Sequence, residues 1–257
     1  SLFYSFTDMN FFDGITKYAD ELHLHFHQQE NADSFIITFR YALITVPLKL
    51  IFALFIAYIL NFKIKCVNLF RTIYYIPSIL GGSVAIAVLW KALFKEDGII
   101  NMLLSFIGIQ GPSWLADPDY AMVVIIVLRD GSSLAMVLFL AALKGVSVDL
   151  YEAATIDGAS KTRQSSHHRA DDHPVIFYNL VTQIAQAFQE FNGPYIIFNN
   201  GGPRGSVTLV SLLVYNYAFK SNEMGMACAM AWVMFIIIAL LTVIAFGSQK
   251  HWVYYAD

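Results

Sequence analysis

The sequence predicts an all-α, polytopic membrane protein, and three observations carry that prediction. Of its 257 residues, 57% are hydrophobic and only 14% are charged, with a mean hydropathy of +0.56, far more apolar than an ordinary soluble domain. Several apolar stretches approach the roughly 20 residues that cross about 30 Å of hydrocarbon as a helix. The strict period-2 alternation of a lipid-embedded barrel is missing.

Five spans are expected, at about 35–61, 72–93, 120–142, 174–198 and 225–247. Residues 1–34 form an external segment and 35–257 the transmembrane domain. The opening Ser1-Leu2-Phe3-Tyr4-Ser5-Phe6 has no charged stretch followed by an apolar one, so it reads as the interior of a longer chain rather than a signal segment. A further apolar stretch near 207–219 is interrupted by Ser211, Tyr215 and Asn216, which predicts a surface or re-entrant helix rather than a sixth crossing.

Lys and Arg are distributed unequally between alternate loops. Lys63, Lys65, Arg71, Lys144, Lys161, Arg163, Arg169 and Lys250 fall on one side, against Lys17, Lys95, Arg204 and Lys220 on the other. The positive-inside bias then places 62–71, 143–173 and the C-terminal tail in the cytoplasm, and 1–34, 94–119 and 199–224 outside.

The loop between the third and fourth spans, Lys144 to Gln164, is too long and too patterned for a minimal connector. It should contain short helices. Asp149 suits a helix start, with Glu152 three positions on; Ala153 and Ala154 leave the backbone approachable, and Gly158 permits a sharp exit. The run Glu152-Ala153-Ala154, with Asp157-Gly158-Ala159 following, resembles the EAA loop of permeases in binding-protein-dependent ABC importers. Ser5-Phe6-Thr7-Asp8, Phe70-Arg71-Thr72, Tyr75-Ile76-Pro77, Gly201-Gly202-Pro203 and Trp252-Val253-Tyr254-Tyr255 extend the resemblance over nearly the whole chain, and to the MalF-type branch of the carbohydrate and polyol importers.

The resemblance implies the type I ABC importer permease fold, with a first core helix preceding Ser1, in the inner membrane of a bacterial cell. It implies that Glu152, Ala153, Ala154, Asp157, Gly158 and Ala159 form a coupling helix docked in a groove of an ABC ATPase dimer. It also implies a second, MalG-type permease, an extracytoplasmic solute-binding protein facing the outward loops, and alternating access driven by ATP. No cofactor is expected on this chain, since ATP and Mg would sit on the partner ATPase. One stretch departs from the family, which continues with an apolar Ile-x-Leu-Pro segment where this chain has Ser165-Ser166-His167-His168-Arg169-Ala170-Asp171-Asp172-His173. It reads as a solvated loop or as codons translated one base out of frame, since the shifted text can spell an apolar segment close to the family pattern.

Polar groups inside spans are costly against lipid and mark interior faces. In the fourth span Asn179, Gln183, Gln186 and Glu190 recur at spacings of four, three and four, which puts them on one helical stripe. Together with Asn192 and Tyr195 they are candidates for a path that offers donors and acceptors to a hydroxyl-rich solute; hydrogen bonding between helices is the alternative. Arg129 and Asp130 imply a break or a wet cavity in the third span, and Arg40 and Lys49 either snorkel or face inward.

Other chemistry is poorly supported. A net charge of −3 without a basic block argues against nucleic acid. Cys66 and Cys228 read as packing residues, and the alternating His23, His25 and His27 as a solvated extended segment rather than a metal site. Asn199 to Gly205 is a turn, lacking the Lys-Ser or Lys-Thr of a phosphate loop. With no nucleophile-base pair or paired carboxylates, the chain reads as a transporter subunit, not an enzyme. An ion-gradient carrier using Arg129, Asp130 and Glu190, and a non-transport scaffold, are the rival readings.

Overall fold

The computed structural model describes residues 7–10, 14–18, 28–61, 84–128, 132–145, 161–198 and 201–252. It opens with a small antiparallel hairpin, β1 (Thr7–Asn10) and β2 (Gly14–Tyr18), with Met9 opposite Ile15. Among the described residues, all later elements are helical. They are α1 (Gln28–Asn61), α2 (Val84–Leu93), α3 (Ile99–Phe106), α4 (Pro118–Leu128), α5 (Ser132–Gly145), α6 (Lys161–Phe188), α7 (Asn192–Phe198), α8 (Val210–Tyr215) and α9 (Met224–Trp252). A single 3-10 turn at Pro203–Gly205 precedes α8 and a π-helical turn at Asn216–Lys220 follows it.

Among the described residues, α1 and α9 are the two helices long and apolar enough to cross a membrane. The first begins at Gln28, earlier than the expected position 35, with Glu30 in its opening turn where an acidic group complements the helix dipole. At about 1.5 Å per residue its 34 residues run about 51 Å. Pro47 lies inside it, an interruption that membrane helices tolerate when neighbours satisfy the freed carbonyl. Ile36, Leu43, Ile51 and Phe55 are exposed, the reverse of a soluble helix and the expected arrangement when lipid is the solvent. Lys49 is buried and Arg40 exposed, so of the two cations only Lys49 faces inward.

Two expected boundaries change. Within the span expected at 120–142, α4 and α5 are described up to 128 and from 132, and 129–131, with Arg129 and Asp130, lie outside the described residues. The loop expected over 143–173 is helical from Lys161 onward, and the polar run Ser165 to His173 is part of α6, which continues through Pro174. No glycine occurs in that run, and polar residues cost at most about 0.7 kcal/mol each in a helix. The span at 174–198 is interrupted between α6 and α7.

The chain divides into two compact units. One comprises 1–45, 82–129 and 185–240. In it Val210, Leu213, Tyr217 and Ala218 pack on Ala227 and Met230 of α9, with Phe35 of α1 beside them. A second cluster joins Phe94, Val124 and Ile197, flanked by Trp90 and Trp114. The stretch expected as a surface or re-entrant helix is therefore buried on one face: Val210, Leu212, Leu213 and Tyr217 are all core residues.

The helix α8 begins without a cap of its own, since Leu209 has no side-chain oxygen to offer. Thr38 of α1 supplies it: its hydroxyl accepts the Val210 N–H at 3.0 Å and donates to the Ser34 carbonyl at 2.7 Å. The Tyr217 hydroxyl adds a second tie, donating to Asn31 Oδ1 at 2.8 Å. Substituting Thr38→Val keeps the shape and strands a buried N–H, so it is expected to destabilise the protein by about 1–3 kcal/mol. A lowered thermal transition in detergent, with Thr38→Ser close to the parent, is the check.

The other unit comprises 46–81, 130–184 and 241–257. Its core sets Ala53, Ala57 and Leu60 of α1 against Ala135, Met136, Phe139 and Leu140 of α5. Alanines one turn apart let the two backbones approach, the usual basis of helix association where lipid removes the hydrophobic drive. Phe177 of α6 and Phe246 of α9 meet edge to face with centroids 5.0 Å apart.

Candidate solute path

The break between α6 and α7 falls just before Gly193 and Pro194. A proline has no N–H to donate to the carbonyl four residues back, and its ring crowds that carbonyl; α1 and α6 absorb this at Pro47 and Pro174, but beside Gly193, a poor helix former, it favours a break. In the first turn of a new helix the same residue is well tolerated, because N–H groups there have no intrahelical partner. Pro194 accordingly occupies the first turn of α7.

Glu190 uses both ends of this break. Its side chain, only 1% exposed, accepts the Gly193 N–H at 3.0 Å, so it satisfies one of the leading donors of α7. Its main-chain carbonyl, which Pro194 cannot serve, accepts the hydroxyl of Ser211 on α8. Side chain and backbone of one residue thus fix α7 and dock α8.

Aromatic rings surround the same turn. Phe191 and Tyr195 stack at 4.9 Å, Tyr215 lies 5.0 Å from each, and Phe219 follows 5.1 Å from Tyr215. The Tyr195 and Tyr215 hydroxyls are 3.3 Å apart. That hydrogen bond, and then burial, raise the Tyr215 phenol above its ordinary value.

The six path candidates are placed differently from one another. Asn179 is buried, but its amide donates to the Val175 carbonyl of its own helix at 2.9 Å, and Thr182 likewise bonds back to Tyr178 and Asn179. Gln183 is buried, while Gln186 and Asn192 are exposed and Tyr195 is half-buried. Glu190 lies past the end of α6 and so leaves the helical stripe that spacing alone predicts. Asn179 and Gln183 belong to one unit and the other four to the other. The coupling candidates Glu152, Ala153, Ala154, Asp157, Gly158 and Ala159 fall outside the described residues, as do His23, His25 and His27. Cys228 is a free, half-buried thiol on α9. Sequence reasoning missed Thr38, and took Ser211 and Tyr215 only as interruptions of an apolar stretch.

Residues 32–253 match the family described as binding-protein-dependent transport system inner membrane components. The chain belongs to this family. As a permease it is similar to the probable ABC transporter permease protein YesP of Bacillus subtilis, at 41% identity over 99% of this chain and 84% of that protein. It is also similar to the lactose transport system permease protein LacF of Rhizobium radiobacter, at 31% identity over 83% of this chain and 74% of that protein. Among solved structures, a chain of a bacterial alginate ABC transporter, crystallised in complex with an alginate pentasaccharide-bound periplasmic protein, superposes with a TM-score of 0.75. That match has 18% identity and covers 84% of this permease and 77% of the other chain, so it shows the fold alone. The architecture is that of the type I ABC importer permeases, as the EAA-like loop implied. The ion-gradient carrier and scaffold readings have no support in the family.

Proposed function

We propose that the permease carries a sugar or oligosaccharide across a bacterial cell membrane, powered by a separate ATPase. The observation that carries this reading is the similarity to the lactose permease through 83% of the chain. The chemistry of the break between α6 and α7 supports it. Exposed amides at Gln186, Gln189 and Asn192 offer both donors and acceptors, as a polyhydroxylated solute requires.

The loop from Glu152 to Ala159 receives the stroke of an ABC ATPase dimer, and a second, MalG-type permease completes the passage. An extracytoplasmic binding protein delivers solute to the outward loops. This chain hydrolyses nothing itself; ATP and Mg act on the partner. Competition assays in cells whose uptake depends on this permease test the solute class. Excess disaccharide or oligosaccharide is expected to block uptake of a labelled sugar, with amino acids inert. Uptake of amino acids and of no saccharide would reject it.

A further inference from the structure

We propose that α3 is an interfacial anchor, lying in the boundary layer of the bilayer with lipid hydrocarbon covering its outer face. This goes beyond the transport reading and depends only on the chain being a membrane protein. None of the eight residues of α3 is buried. Ile99, Met102, Leu103 and Phe106, spaced as one helical stripe, are 57%, 59%, 59% and 78% exposed, and Ile107 and Ile109 continue it at 75% and 52%. A contiguous apolar surface of this kind needs a cover.

The depth of the helix follows from what surrounds it. At about 1.5 Å per residue it is about 12 Å long, far too short to cross. It carries no charge, yet exposed Lys95, Glu96 and Asp97 precede it. Gly98 gives its leading N–H groups no side-chain cap, so that end needs water or headgroup oxygens, which the middle of a bilayer does not provide. Its other end closes on Gly108, at φ +81°, with the Gly108 and Ile109 N–H groups returning to Ser105 and Leu104. Trp90, Phe94, Trp114 and Tyr120 form a chain of ring contacts 5.4–5.9 Å apart beside it, and Trp and Tyr concentrate at membrane interfaces.

Lipid fits the face better than a protein partner does. A protein interface carries a polar rim and about one hydrogen bond per 100–200 Å², and the exposed stripe of α3, Ile99, Met102, Leu103 and Phe106, has no polar side chain to make one. The Ser105 hydroxyl donates to the Met102 carbonyl at 2.7 Å. Asn101 donates to the Glu96 and Pro112 carbonyls at 3.1 and 3.4 Å and accepts Trp114 Nε1–H at 2.7 Å. The Asn101 bonds tie that side of α3 to Pro112 and Trp114, opposite the apolar stripe. Helices α2 and α4 of the same unit also expose apolar side chains, Val88, Leu89, Val123 and Val127.

The test uses the full chain assembled with its partner subunits in phosphatidylethanolamine–phosphatidylglycerol vesicles. Spin labels are placed at Leu103→Cys, Phe106→Cys and Asp97→Cys in a background where Cys66 and Cys228 are Ser. Collision with oxygen is expected to exceed collision with a water-soluble nickel chelate several-fold at 103 and 106, and the order to reverse at 97. Chelate access at 103 and 106 equal to that at 97 would overturn the anchor in favour of a water-facing loop. Protection of both sites from both quenchers would overturn it in favour of a protein cover.

Discussion

Replacing Gly158 by Leu is expected to lower solute uptake at least about a hundredfold while the permease still reaches the membrane. A hundredfold is about 2.7 kcal/mol of transmitted free energy, and the argument for so large an effect is one of fit. In the proposed docking, the small Ala153 and Ala154 suit a close contact and Gly158 suits a sharp turn; a branched side chain at 158 would then hold the ATPase off. Co-purification of the ATPase separates lost docking from lost folding. A conservative change on the outward loops, such as Arg204→Lys, should leave uptake within about twofold. A Gly158→Leu permease that transports normally and retains its ATPase would remove the loop from the mechanism.

Glu190→Ala carries the second large effect. It takes away the acceptor for the Gly193 N–H at a site almost closed to solvent, so a buried donor is stranded at the start of α7. The expected loss is about 1–3 kcal/mol, read as a lower thermal transition in detergent, together with loss of uptake, because α7 loses the side chain that fixes its start, while the main-chain carbonyl that accepts Ser211 is kept. Glu190→Gln keeps a carbonyl oxygen in reach of Gly193 and should restore most of the stability. If Ala and Gln variants melt alike, the capping role is wrong; if both melt like the parent, so is the account of the break.

The contrast between Gly158 and Glu190 shows what the sequence could and could not reveal. Composition and apolar run length were sufficient for a helical membrane protein, and the Glu152–Gly158 spacing, with its place between spans and the further matches along the chain, for the family, because those signals are local. Glu190 was visible as a polar residue in a span, but its placement on a stripe assumed an unbroken helix. The Gly193-Pro194 pair contains the signal that breaks it, and hydropathy windows average that signal away. Thr38 was invisible for a different reason: its partner is the backbone N–H of Val210, 172 residues distant, and a backbone donor leaves no mark in composition. The polar run before Pro174 reads as loop by character, yet helix α6 extends back over it from the apolar segment that follows.

The central claim, an import pathway driven by a separate ATPase, is tested most directly by reconstitution. The permease, its partner permease and the ATPase are placed in vesicles with ATP inside and the binding protein with labelled sugar outside. The account predicts accumulation that needs ATP and stops when the ATPase is omitted or its catalytic site inactivated, whatever ion gradients are imposed. Accumulation that persists without the ATPase and follows an ion gradient would contradict it.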